Sequence, residues 1–255
     1  MLTLFFITSC AIFNPDEKMI NQMAAEAYEK VKTEAKLSNN LEWKNMVDRV
    51  ARKIAEESGQ DHEWEWMLIE SPEVNAWAMP GGKIAVYTGI MPIAKNEAGL
   101  AAILGHEVAH VTLDHGKERY AQAIRGNVAG LVIGTATAVG GQLLCKSESC
   151  QLLTGLGGAA AGFAITFFDR KFSREAEIEA DKKGLTYMAQ SGYEPTEAIA
   201  VWSRMHEATK GAQPPEFLST HPSPETRKEN IKGWLPEAQK EYSQSPNQLG
   251  SGQSI

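Results

Sequence analysis

The residues best suited to chemistry lie in one stretch, Leu104-Gly105-His106-Glu107-Val108-Ala109-His110-Val111, a His-Glu-x-x-His pattern in an apolar run. On a helix, residues four apart share a face, so His106 and His110 offer two ring nitrogens to one metal ion. Glu107 sits one position round, where a carboxylate can hold a water on the metal's open side and take its proton. The plain alternative is a pair of solvated histidines spaced by chance. Ala101, Ala102, Ile103, Leu104, Val108 and Val111 argue against it, because they bury the helix and a buried polar trio needs partners. The stretch reads as the core of a zinc site with a carboxylate base.

A catalytic zinc takes three protein ligands and keeps a fourth position open. A third His six residues after the second would fall on Gly116, with Leu113 where a glycine should stand, so that pattern fails. His115 is one residue short and suits the helix end, where an imidazole faces the negative pole of the dipole. Better placed are Glu177 and Asp181, whose spacing puts both carboxylates on one face of a second helix, one to bind metal and one to hydrogen-bond a ligand histidine. On spacing alone Glu175 and Glu179 rival Glu177 as ligands, and all could simply form a solvated acidic face. Further on, Ser219-Thr220-His221-Pro222-Ser223-Pro224 holds a lone His in a stiff setting, followed by Arg227.

The elements that must position these groups can be read from periodicity. Asn14-Pro15-Asp16-Glu17 is a helix start, with apolar residues at helical spacing through Ala35. A second helix covers residues 41–57 and stops at Ser58-Gly59. Trp64 to Ile69 reads as a strand; Val74 to Met79 and Lys83 to Thr88, joined by Pro80-Gly81-Gly82, read as a hairpin. The hairpin directly precedes the His-Glu-x-x-His helix, which begins near Asn96-Glu97. Asn75, Ala76, Trp77 and Ala78 therefore make a candidate substrate strand, whose edge pairs with an extended peptide; a hairpin that only walls the core is the alternative. Two apolar, glycine-rich runs within residues 128–168 read as a helical hairpin that is mobile or rests on a membrane. Helices follow over 173–190, through Trp202 and Met205, and over 225–242.

In combination, Asn75-Ala76-Trp77-Ala78-x-Pro80-Gly81-Gly82, His106-Glu107-x-x-His110, Glu177-x-x-x-Asp181 with Gly184, and His221-Pro222 resemble the membrane- and envelope-associated gluzincin metallopeptidases, the family that includes HtpX, BepA and the CAAX prenyl endopeptidases. The resemblance covers most of residues 40–235. It implies an α+β, mainly helical, zincin-like domain with a small sheet beside the active-site helix. It implies one zinc per chain held by His106, His110 and Glu177, with Glu107 as catalytic base and Asp181 supporting a ligand histidine. Only this resemblance selects Glu177 over its neighbours. It gives His221 two possible roles, a fourth zinc ligand that latches the resting site or a donor to the oxyanion, and it allows Arg227 the latter. The implied activity is hydrolysis of peptide bonds in misfolded or unassembled envelope proteins. The alternative is a chaperone or assembly lipoprotein whose metal site is structural or latched. The helical repeats of the BepA branch and the many spans of the prenyl-protease branch are not evident.

Length and composition set the remaining bounds. The 255 residues, 43% hydrophobic, suffice for one core, and a single domain over 11–242 with a disordered polar tail over 243–255 is expected. A net charge of −7 without a basic stripe argues against nucleic acid as a partner and leaves proteins and peptides. Residues 1–10 form a short apolar segment ending in Ile7-Thr8-Ser9-Cys10, which resembles the lipobox of bacterial lipoproteins; Cys10 would then be lipidated. Ala11 after it, rather than aspartate, places the anchor at the inner face of the outer membrane by the same resemblance. Cys145 and Cys150 have the spacing of a small disulfide loop, in keeping with an oxidising periplasm; two inert thiols are the alternative.

Overall fold

The structure, a computed structural model, describes residues 16–126, 158–169, 171–208, 217, 221 and 224–255. Along these run helices α1 (Glu17–Glu34) and α2 (Leu41–Ser58), strands β1 (Glu65–Ile69), β2 (Ala76–Met79) and β3 (Lys83–Tyr87), then α3 (Glu97–Thr112), α4 (His115–Gly126), α5 (Gly158–Asp169), α6 (Arg174–Gln190), α7 (Glu197–Glu207) and α8 (Pro224–Gln244). The protein is mainly helical with one small sheet. Cys10, Cys145, Cys150, the segment 1–15 and most of the apolar run 128–168 lie outside the described residues. No described helix is long and apolar enough to cross a membrane.

The chain divides into two compact units. The first, residues 1–34 and 114–170, contains α1, α4 and α5. Helix α1 is opened by Asp16, whose Oδ1 accepts Met19 N–H at 2.7 Å, and it buries Ile20, Met23, Ala24, Ala27, Tyr28 and Val31 at helical spacing. Tyr120 stands edge-on to Phe163 with centroids 5.4 Å apart. Arg119 lies over the Phe167 ring and donates to Phe167 O at 2.8 Å. This aromatic cluster is a core of its own, which the overall composition could not separate from the second.

The second unit, residues 35–113 and 171–255, carries the sheet and α3. Strand order is β1-β3-β2, with β1 parallel and β2 antiparallel to β3. The β2–β3 turn uses Gly81 at φ +78° and Gly82 at φ +83°, a region open to glycine at little cost. Strand β2 is thus an edge, in register through Ala76 with Val86 and Ala78 with Ile84. Helix α3 is buried on nearly every side, from Ala98 to Val111, as its all-round apolar sequence requires. Asn96 caps it, accepting Gly99 N–H at 2.8 Å.

The tail expected to be disordered is held in place. Leu249 N–H donates to Gly192 O at 2.7 Å, Glu97 N–H to Gln253 O at 2.9 Å and Ile255 N–H to Lys95 O at 2.9 Å. The Gln253 side chain bonds to Arg49 and Glu42, and Ile255 packs against the core.

Candidate metal centre

Helices α3 and α6 cross in direct backbone contact, and that contact builds the site. A Cβ on Gly105 would stand 2.6 Å from Gly184 O, and one on Gly184 would stand 2.6 Å from His106 N. Ser173 caps α6, its Oγ accepting Ala176 N–H at 3.1 Å, which sets the helix phase. Glu177 and Asp181 then turn inward and are buried. Glu175 and Glu179 face solvent, so burial separates the rivals that spacing could not.

Four donors converge: His106, His110, Glu177 and His221, all buried, with ligand atoms within 4.8 Å of one another. His110 Nε2 is 3.1 Å from His106 Nε2, and His221 Nδ1 is 3.2 Å from His106 Nε2. Glu177 Oε1 is 2.9 Å from His221 Nδ1 and 3.4 Å from His110 Nε2. Its Oε2 is 3.6 Å from His106 Nε2. An ion about 2.0–2.1 Å from each of four tetrahedral donors would space them about 3.3–3.4 Å apart, so the set fits zinc. Bare imidazole nitrogens this close repel one another unless a cation or proton lies between them. The donor chemistry calls for a metal.

Asp181 Oδ1 is 2.9 Å from His106 Nδ1. A carboxylate that accepts from Nδ1–H leaves Nε2 free to bind metal; Arg227 Nη2 stands 2.9 Å from the same Nδ1. Arg227 has a different setting from the oxyanion donor expected. Its Nε donates to Asp181 Oδ2 at 2.7 Å, Nη2 pairs with Asp181 Oδ1, and Nη1 stands 3.1 Å from Glu177 Oε2. The guanidinium lies 3.5 Å over the Trp202 ring. It spans both acids of α6 and faces them rather than an open substrate position. An Arg in the first turn of a helix gave no sequence signal for this. His115 is not the α3 cap; Leu113 N–H closes that end on Ala109 O at 3.0 Å, and His115 opens α4.

Burial and charge set the protonation of the group. Burial, helped by Arg227, lowers His106 to about 4, and burial holds His110 well below its ordinary value. Both rings are therefore neutral ligands near pH 7. Burial pushes Glu177 up, but His221 and Arg227 together hold it well below the carboxylate range. Asp181 is likewise held down by Arg227 against burial. Glu107 goes the other way: burial raises it to about 7, against His221 and a backbone hydrogen bond from Ala78. A carboxylate tuned to this range suits proton transfer.

The candidate substrate strand lies against this base, since Ala78 hydrogen-bonds Glu107. Its side chains are otherwise engaged: Asn75 Nδ2 donates to Glu73 Oε1 at 2.7 Å, and Trp77 Nε1 to Tyr87 OH at 3.4 Å. Beside it, Phe217 N–H donates to Val74 O at 3.3 Å, and Phe217 stacks on His221 with centroids 4.7 Å apart. Phe217 was not singled out in the sequence; an isolated Phe in a polar stretch carries no periodic signal. Ser219, Thr220, Pro222 and Ser223 lie outside the described residues.

Comparison with known proteins agrees with this geometry. The sequence matches Peptidase family M48 over residues 38–235. It is 36% identical over 224 residues to the mitochondrial metalloendopeptidase OMA1 of Schizosaccharomyces pombe, covering 86% of this chain and 61% of that protein. With the mitochondrial metalloendopeptidase OMA1 of Saccharomyces cerevisiae it shares 35% identity over 189 residues, 71% of this chain and 50% of that protein. With the beta-barrel assembly-enhancing protease of Escherichia coli it shares 29% over 163 residues, 64% of this chain and 32% of that protein. The chain thus spans between a third and two-thirds of the length of these relatives.

Proposed function

This chain belongs to peptidase family M48, a gluzincin family, and on that premise we propose that it is a zinc-dependent endopeptidase with His106, His110 and Glu177 as ligands and Glu107 as base. The observation that carries the reading is the buried convergence of these donors with His221, their ligand atoms within 4.8 Å of one another. Bound zinc would supply Lewis acidity, making a water nucleophilic near neutral pH and polarising the scissile carbonyl. Glu107 removes the proton from that water and delivers it to the departing amine nitrogen. Asp181 keeps His106 in the tautomer that leaves Nε2 free, and Arg227 holds Asp181 and Glu177 in place. The edge of β2, with Ala78 beside the base, offers main-chain groups to an extended peptide.

His221 is the resting fourth ligand, a latch rather than an oxyanion donor. Its Nδ1 sits among the other donors, 2.9 Å from Glu177 Oε1, and it must leave for substrate to enter. This also accommodates the assembly-factor reading as a state of the same enzyme, latched until engaged.

The natural substrates are misfolded or unassembled proteins of a cell envelope. The relative named for β-barrel assembly supports that setting; the relatives named for mitochondria do not. Lipidation at Cys10, attachment to the inner face of an outer membrane, membrane contact by the apolar run 128–168 and a Cys145–Cys150 disulfide belong to the same proposal, on sequence grounds. Purified protein should bind one zinc and cleave an unfolded substrate such as casein, with a chelator abolishing and zinc restoring cleavage. Zinc-loaded, unlatched protein that leaves casein intact would overturn the endopeptidase reading. Cys10→Ala should release the protein from the membrane fraction.

A further inference from the structure

Helices α3 and α6 touch at Gly105 and Gly184, with the metal donors on one side of the touch. On the other side, α3 begins and α6 ends, and residues 247–255 bond to both. At the α6 end, Leu249 N–H donates to Gly192 O at 2.7 Å and Glu194 N–H to Gly250 O at 3.0 Å. At the α3 end, Ala98 N–H donates to Ser251 O at 3.1 Å and Glu97 N–H to Gln253 O at 2.9 Å. These are two of the N–H groups that a helix start leaves without an intrahelical partner. Gln253 is itself fixed, accepting from Arg49 Nη2 at 2.8 Å and donating to Glu42 Oε1 at 2.9 Å.

The fit is close enough to require glycine. Gly252, at φ +64°, lies against Glu97, and a Cβ there would run into the carboxylate. Gly192, at φ +85°, lies against Asn247, and a Cβ would run into its carbonyl oxygen.

We propose that residues 247–255 are a tie across the two ligand-bearing helices, with Gly192, Gly252 and Gln253 as positioning residues for the metal centre. The Gly–Gly touch brings the two backbones together without a side chain between them, and Thr112 Oγ1, 3.0 Å from Tyr187 OH, links the same two helices. Main-chain bonds at the ends where α3 begins and α6 ends add to that restraint, and so to the spacing of His110 Nε2 from Glu177 Oε1, 3.4 Å, beyond the touch. The proposal rests on the assignment of His106, His110 and Glu177 as zinc ligands.

The test replaces residues 247–255 by a Gly/Ser sequence of equal length, with Gly192→Ala and Gln253→Ala as milder variants that keep the test alive if the replacement does not fold. Ile84→Val, a core change in β3, serves as the control for lost stability. Zinc affinity is read by chelator competition, ligand geometry by the visible spectrum of the Co(II)-loaded protein, and the helix start by amide exchange at Glu97 and Ala98. Tie variants should exchange faster at both amides, bind zinc about tenfold or more weakly and shift the Co(II) bands, comparable to loss of an outer-shell support. Ile84→Val should leave the affinity and spectrum as they are. Faster exchange with unchanged zinc affinity and Co(II) spectrum would overturn the tie while leaving the ligand assignment standing. If the wild-type protein binds no zinc, or His106→Ala binds it equally well, the ligand assignment itself fails, and the tie with it.

Discussion

Gly105 and Gly184 pack backbone to backbone, one residue before His106 on α3 and three after Asp181 on α6. No side chain fits between them, and this is what lets two acids on one helix reach two histidines on another. Gly184→Ala should therefore force the helices apart. We expect a stability loss of about 1–3 kcal/mol, typical of overpacking, together with weakened zinc binding. Thermal melts and chelator competition check both, and a variant that melts lower yet binds zinc like wild type would limit Gly184 to packing.

Glu107→Gln separates metal binding from chemistry. The amide keeps the shape but cannot take a proton, so the variant should retain one zinc while casein cleavage falls by about 10²–10⁴-fold. Measured zinc content and a cleavage assay on the same sample decide it. Substantial remaining cleavage would remove Glu107 from the proton transfer.

His221→Ala should unlatch the site. Cleavage of an unfolded substrate should rise as the resting closed fraction disappears, while zinc dissociates faster for want of the fourth donor. If neither cleavage nor zinc release changes in either direction, His221 has no part in the site.

Arg227→Lys tests the clamp on the two acids. An ammonium cannot span Asp181 and Glu177 in the bidentate fashion of a guanidinium or stack in its place on Trp202. Zinc affinity should fall about 10–100-fold, as for loss of an outer-shell support, in a chelator titration. Arg227→Ala leaves two buried carboxylates without their cation and should cost about 3–5 kcal/mol in metal-free protein.

The metal-free protein should show opposed proton linkages. His106 is lowered to about 4 from 6.5, so the unfolded chain takes its proton first and stability falls as pH drops through that window. Glu107 is raised to about 7 from 4.5, so the folded state takes that proton first and stability gains as pH drops from about 7 toward 4.5. Removing the second effect in Glu107→Gln should steepen the loss between pH 7 and 4.5. Melting temperatures in the presence of chelator, compared across that range, provide the check; parallel profiles would place Glu107 outside a desolvating pocket.

His106, Glu107 and His110 were legible because both ligands and the base sit within one helical turn and a half, where spacing alone fixes direction. On spacing alone Glu177 is not separable from Glu175 and Glu179, since three acids at intervals of two present every side of a helix; only the family resemblance selects it in the sequence, and burial against α3 distinguishes it in the fold. The β2–β3 hairpin announced itself through Pro80-Gly81-Gly82. Phe217 could not be read, and Arg227 only as a candidate oxyanion donor, because their partners lie far away in the chain and neither sits in a periodic pattern. The boundary between two cores and the ordered tail escaped for a related reason: composition records how apolar a segment is, not which backbone groups receive its hydrogen bonds.

The bond from Arg49 to Gln253 joins positions 204 apart in sequence, and the same segment supplies the carbonyls that finish the start of α3. A chain emerging N-terminus first makes His106, Glu107 and His110 long before it makes residues 247–255. During synthesis the hydrolytic residues therefore exist on an incompletely capped helix, and contacts of such long sequence separation close late. On the proposed function, residues 247–255, made after the metal-binding helix, would then set the moment at which a nascent polypeptide becomes able to cut others.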